Sequence, residues 1–164
     1  MPRKIGLLMG SINDFGKIKS AVDLLKALEI PLEAHVCSAH RTPAQAAKFA
    51  SEARENGFGA IICAAGLAAH LAGAVAAQTT LPVIGIPVGA ALDGLDALLS
   101  TVQMPPGIPV ATVAVDGAYN AAVLAAQILA VEDGEVAAKM AAMREKMAKG
   151  VLEKDGELQS MLNS

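Results

Sequence analysis

The sequence predicts an α/β protein in which a five-stranded parallel sheet lies between two layers of helices. Three observations point there. Short, strongly apolar runs recur five times along the 164 residues. The segments between them repeat apolar positions every three to four residues, the period of an amphipathic helix. Four of the five runs are nearly all apolar, as strands covered on both faces must be. A chain of this length is the size of one domain with a sizeable core. Residues 1–164 are therefore expected to form a single domain with its core over 4–131.

The elements follow in order. KIGLLM (4–9) is the first strand and DFGKIKSAVDLLKALEI (14–30) the first helix. LEAHVC (32–37) alternates, with Leu32, Ala34 and Val36 on one face and Glu33, His35 and Cys37 on the other. Alternation marks a strand at the sheet edge. A second strand at the edge is what the flavodoxin-like order 2-1-3-4-5 requires, giving a three-layer sandwich. TPAQAAKFASEARENG (42–57) begins a helix with threonine as cap and proline at the first helical position. GAIICA (59–64) is the third strand, and LAAHLAGAVAAQ (67–78) a helix that holds His70 one turn inside its start. PVIGIP (82–87), LDGLDALLSTVQ (92–103), PVATVAV (109–115) and YNAAVLAAQILA (119–130) complete the alternation.

After Glu132-Asp133-Gly134 the chain becomes a charged amphipathic helix, expected over 135–155 with frayed residues beyond. Val136, Met140, Met143, Met147 and Val151 form its apolar stripe, which has to dock on its own domain or on a neighbouring subunit.

Composition narrows the function. Net charge is −3 with no block of lysine and arginine, which argues against nucleic acid or anionic lipid as partners. Cys37 and Cys63 lack metal-ligand or disulfide spacing and read as buried reduced thiols. The apolar stretch at the start is too short for a secretory signal, so a cytoplasmic protein is expected. GFGAIICAAGLAAHLAGAVAA (57–77) has a membrane-spanning length, but alanine, glycine and a histidine suit a buried strand and helix better. Hydrophobic residues make up 54% and aromatics 2%. So many small side chains bury little area each, which favours further burial in a homo-oligomer.

In the 2-1-3-4-5 order the loops after strands one, two and three meet at one rim, where ligands bind. The first, MGSINDFGK, offers Ser11 and helix-start amides to a phosphate, and Asp14 to ribose hydroxyls; Asn13 or Asp14 also suits a plain helix cap. The second, CSAHRTP, holds Ser38, Ala39, His40 and Arg41 between strand end and helix cap. Arginine binds phosphate bidentately, and histidine exchanges protons near neutral pH. In the third, CAAGLAAHLAG, Gly66 lets a ligand approach the backbone and His70 follows. His35, inside the edge strand, reads as structural.

SAHRTP, AAHL and the run GLDALLSTVQMPPGIPVATVAV followed by NAAVLAAQILA together resemble the PurE family, the N5-carboxyaminoimidazole ribonucleotide mutases of purine biosynthesis, from about Lys4 to Ala130. Related carboxylases that use free CO2 carry SAHK and a GRSN-like third loop instead, so SAHR and AAHL fall on the mutase side. The resemblance implies a homo-octamer without metal or organic cofactor. It implies that Ser11, Ser38 and Arg41 hold the 5′-phosphate and Asp14 the ribose, with Asn13 beside them. His40 matches the catalytic histidine, and Gly66, Leu67, Ala68, His70 and Leu71 match the loop that closes on the imidazole and its carboxylate. Asn13, Leu67 and Ala72 stand where the family usually has serine, a second glycine and proline. Leucine at 67 is expected to strain the backbone if that position needs positive φ. Two other functions stay open: a carboxylase or decarboxylase acting directly on a ribonucleotide through His40, and a non-catalytic nucleotide-binding paralogue.

Overall fold

The computed structural model describes residues 2–163, so Met1 and Ser164, the ends of the expected 1–164 unit, lie outside it. Five strands, β1 (Lys4–Met9), β2 (Leu32–Val36), β3 (Phe58–Gly66), β4 (Val83–Val88) and β5 (Ala111–Thr112), form one sheet in the order 2-1-3-4-5. Every pairing is parallel, and Leu7 of β1 faces Ala34 on one side and Ile62 on the other. The helices are α1 (Phe15–Ala27), α2 (Pro43–Glu52), α3 (Leu71–Ala76), α4 (Leu95–Val102), α5 (Ala118–Ala130) and α6 (Gly134–Leu162).

Successive strand residues point to opposite faces, and the core divides accordingly. Ile5, Leu7, Ile62, Ile84 and Ile86 pack with α1, α5 and the start of α6. Leu8, Ile61, Cys63 and Val83 pack with α2 and α3 on the other face. Each fully buried aliphatic side chain contributes roughly 1.5–3 kcal/mol. Ala118, Ala121, Ala122, Ala125 and Ala126 are all buried. Their spacing is one helical face, and small side chains let α5 lie close to the sheet.

Several expected boundaries shift. The second helix ends at Glu52, with turns to Gly57, and β5 has two residues instead of a run over 109–115. The fourth helix is a short 3-10 turn, Leu92–Gly94, kinked into α4 by left-handed backbone at Asp93 and Gly94. The third helix starts at Leu71, not at 67. Leu67 takes φ +54°, incompatible with a helix, which leaves His70 at the helix cap rather than one turn inside.

The last helix begins where Asp133 Oδ1 accepts from the amides of Glu135 and Val136, at 3.0 Å each. It runs unbroken to Leu162, beyond the expected fraying point. Val136 and Met140 are buried and Met143 packs against the same core, whereas Met147 and Val151 are exposed. The stripe thus docks on its own domain for three positions and then leaves it. Cys37 and Cys63 are both free and buried. Burial, with a smaller contribution from Cys37, pushes the Cys63 thiol up and keeps it uncharged. Among the described residues no helix is long and apolar enough to cross a membrane.

Candidate active site

At the carboxyl ends of the strands lies a cavity of about 390 Å³, the size of a small-molecule site. Its wall contains Ser11 and Asp14 from the loop after β1, and Ser38, Ala39, His40 and Arg41 from the loop after β2. Gly66, Leu67, Ala68, His70 and Leu71 come from the loop after β3. Eleven of the twelve residues singled out in the sequence therefore meet in one place. Asn13 does not: it sits in the 3-10 turn Ile12–Asp14, where its backbone N–H donates to Ser11 Oγ at 3.2 Å. His35 lies away from the cavity, with Nε2 3.2 Å from Glu33 Oε1.

The geometry of each loop follows from its sequence. Asp14 occupies the cap position of α1 but makes no capping bond with its side chain. Its carboxylate is left facing the cavity, so the plain-cap explanation does not hold. Burial pushes the Asp14 carboxyl up, the Lys17 ammonium opposes this, and Asp116 adds to it.

Thr42 also differs from expectation. Pro43 takes the first position of α2, but the Thr42 side chain does not cap it. The hydroxyl turns back, accepting from the Ser38 N–H at 2.9 Å and lying 3.1 Å from the Ser38 carbonyl. Ser38 Oγ in turn accepts from the Arg41 N–H at 3.2 Å. These bonds close Ser38–Thr42 into a tight turn whose outward side chains are His40 and Arg41. Arg41 is exposed at the cavity wall, and its planar, permanently charged guanidinium suits a phosphate.

The third loop rests on α4. Ser100 Oγ accepts from the Ala69 N–H at 2.9 Å and lies 2.7 Å from the Asp96 carbonyl, its best acceptor. This support holds His70 beside His40: His40 Nε2 and His70 Nδ1 are 2.8 Å apart, with the rings edge to face. One nitrogen must donate and the other accept, so the pair holds a single hydrogen between two imidazoles.

Sequence reasoning missed the fourth side of the cavity. Val88, Gly89 and Ala90, following β4, and Lys17 on α1 also line it. Lys17 lies three residues after Asp14, hence on the same helical face, a spacing that was available in the sequence. Among the described residues, no group of three or more histidines, cysteines or carboxylates could hold a metal ion.

A family model described as AIR carboxylase matches residues 4–150. A Methanocaldococcus jannaschii protein named N5-carboxyaminoimidazole ribonucleotide mutase is 50% identical over 157 residues, covering 96% of this chain and 98% of that one. A Bacillus subtilis protein of the same name is also 50% identical, covering 94% and 97%. The crystal structure of Treponema denticola PurE superposes with a TM-score of 0.85 at 29% identity, covering 94% of this chain and 97% of that one. A match spanning the whole sheet and all three loops of the cavity leaves one conclusion: the chain belongs to the AIR carboxylase family.

Proposed function

We propose that this chain is an N5-carboxyaminoimidazole ribonucleotide mutase of purine biosynthesis, converting its substrate to 4-carboxy-5-aminoimidazole ribonucleotide. The observation that carries this is 50% identity, over nearly the full length of both chains, to proteins bearing that name. The cavity supports a mechanism. Ser11, Ser38 and Arg41 hold the 5′-phosphate, Asp14 accepts from the ribose hydroxyls, and the glycine and alanine of the third loop let the imidazole lie against backbone.

In the reaction the N–C bond of the carbamate breaks, CO2 departs, and the electron pair remains on the exocyclic nitrogen, which takes a proton from His40. C4 of the electron-rich ring then attacks the trapped CO2, and His40 removes the C4 proton. Proton given and proton taken balance, so the reaction is a net isomerisation. One histidine serves both transfers, because the base it becomes in the first step is the base needed in the second. His70, bonded to His40, fixes which imidazole nitrogen carries hydrogen. Apolar walls keep water from the carbamate and hold the CO2.

Direct carboxylation of aminoimidazole ribonucleotide is a second function for the same residues, favoured by the name of the matching family model. The test is to supply N5-carboxyaminoimidazole ribonucleotide and follow the C4-carboxylated isomer with and without bicarbonate. Turnover independent of bicarbonate is expected. A bicarbonate requirement with aminoimidazole ribonucleotide would establish the carboxylase, and binding without turnover a non-catalytic paralogue.

The active form we propose is a single-domain subunit in a cytoplasmic homo-oligomer, an octamer on the family resemblance. Leu92, Leu95, Leu99 and Val102 are all exposed at helical spacing along α4 and its lead-in turn, an apolar face of the kind subunit contacts cover. Two free buried thiols suit a reducing compartment.

A further inference from the structure

The wall of the cavity after β4 is tied down by groups outside the three loops. Lys17 on α1 donates from its ammonium to the Gly89 carbonyl and pairs with Asp116 Oδ2 at 3.2 Å. Asp116 Oδ1 accepts from the Gly89 N–H at 2.9 Å. Both polar backbone groups of Gly89 are thus held by one ion pair that joins α1 to the turn after β5. The fit is close, since a Cβ on Gly89 would lie 3.2 Å from Asp116 Oδ2 and 3.3 Å from Val115 Cγ1. Asp116 adopts φ +55°, left-handed backbone that aspartate takes only at some cost. Its N–H donates to the Pro87 carbonyl at 2.8 Å. The wall abuts the third loop: Gly66 pairs with Val88, and a Cβ on Gly66 would come within 3.1 Å of the Val88 carbonyl oxygen and 3.9 Å of Ala90 Cβ.

We infer that Lys17 and Asp116 are positioning residues, setting where the Gly89–Ala90 wall stands against the reacting ring. The inference rests on the function proposed above. Lys17 and Gly89 line the cavity and Asp116 does not, so Asp116 acts through them. As a half-exposed ion pair it would contribute little to stability by itself. Its effect lies in fixing Gly89 through the peptide groups on both sides of its Cα.

The variants Lys17→Met, Asp116→Ala and the double variant, assayed for kcat, KM and Tm, test this. Each single change lowers kcat about tenfold, since small misplacements of a reacting centre are costly. KM moves less than about threefold and Tm stays within about 3 °C, as expected for a loss of orientation rather than of binding or fold. The double variant is no worse than either single one, because the two side chains are paired with each other and act on the same residue, Gly89. Lys17→Arg recovers most of the lost kcat. Hydrogen exchange at Gly89 speeds up in Asp116→Ala. Unchanged kcat, losses that multiply in the double variant, or unchanged exchange at Gly89 would each overturn the inference. Should the unsubstituted protein turn over neither ribonucleotide, the proposed function fails, while exchange at Gly89 still decides whether the clamp exists.

Discussion

His40 Nε2 and His70 Nδ1 stand 2.8 Å apart although thirty residues separate them in the chain. In the mechanism proposed above, His40, in the tight turn after β2, moves the proton, and His70, at the start of α3, orients it. His40→Asn should lower turnover by about 10³-fold, the usual scale of a lost acid–base group, and His70→Asn by about 10- to 100-fold. Calorimetric affinity for aminoimidazole ribonucleotide should stay within about threefold in both, since neither holds the phosphate. A fully active His40→Asn protein would remove this residue from the mechanism.

Leu67 carries φ +54° at the cavity wall with its side chain 56% exposed. Left-handed backbone costs a leucine about 1–2 kcal/mol, and so exposed a side chain recovers little by packing. Glycine removes the strain but adds roughly 0.5–1 kcal/mol of unfolded-state entropy. Leu67→Gly should therefore raise stability by about 0.5–1 kcal/mol in urea unfolding. Leu67→Ala keeps the strain and should raise nothing.

Asp14 titrates above its ordinary value of 3.8 in the folded protein, chiefly through burial. Such an acid binds protons on folding, so its contribution to stability falls as pH rises from 3.8 through the raised folded value. Asp14→Asn should accordingly melt higher than the unsubstituted protein at pH 7, by about 1 °C for a group this accessible to solvent. Below pH 3.8 the difference should vanish. Ribonucleotide affinity should fall in the same variant. A melting difference that persists at low pH would show that the gain has another origin.

Gly85 lies under α4, where an added Cβ would sit 2.4 Å from Thr101 Cγ2 and 3.0 Å from Val110 Cγ1. Thr101 is buried and bonded to the Ala97 carbonyl at 2.7 Å, so it has little room to yield. Gly85→Ala should cost about 1–3 kcal/mol by overpacking. At Gly10 the nearest atoms to such a Cβ are 3.9 Å away, and alanine there meets no steric objection.

Along α6 the apolar stripe divides. Met140 is buried in the subunit core, and Met140→Ala should destabilise by about 2–5 kcal/mol in denaturant unfolding. Met147 is exposed on the isolated chain, so Met147→Asp should leave the subunit fold intact. If the outer half of α6 is covered by another copy, the same change lowers the assembled mass in light scattering. Leu95→Asp on the α4 face is expected to do so as well.

Helix type, strand type and sheet order were legible because they rest on local pattern: the alternation of LEAHVC placed β2 at the edge, and the order followed. Loop contents were legible too, since Ser38–Arg41 sit between a strand end and Thr42-Pro43. Where helices begin was less so. Apolar spacing continues through Leu67 and His70, and only the left-handed backbone at Leu67 stops the helix short of them. The fourth wall was missed because nothing in the run PVGAAL marks Gly89 as near Lys17, seventy-two residues earlier.

The sequence by itself determined the layers, the edge strand, the two buried thiols and the three loops that carry the polar groups, because periodicity and turn chemistry act over a few residues. Only the tertiary structure decided that two imidazoles share a hydrogen, that Thr42 turns back instead of capping its helix, and that the paired Lys17 and Asp116 hold both polar backbone groups of Gly89. Those contacts join distant parts of the chain at hydrogen-bond distance, and such distances are set by how whole strands and helices pack, which local pattern does not encode.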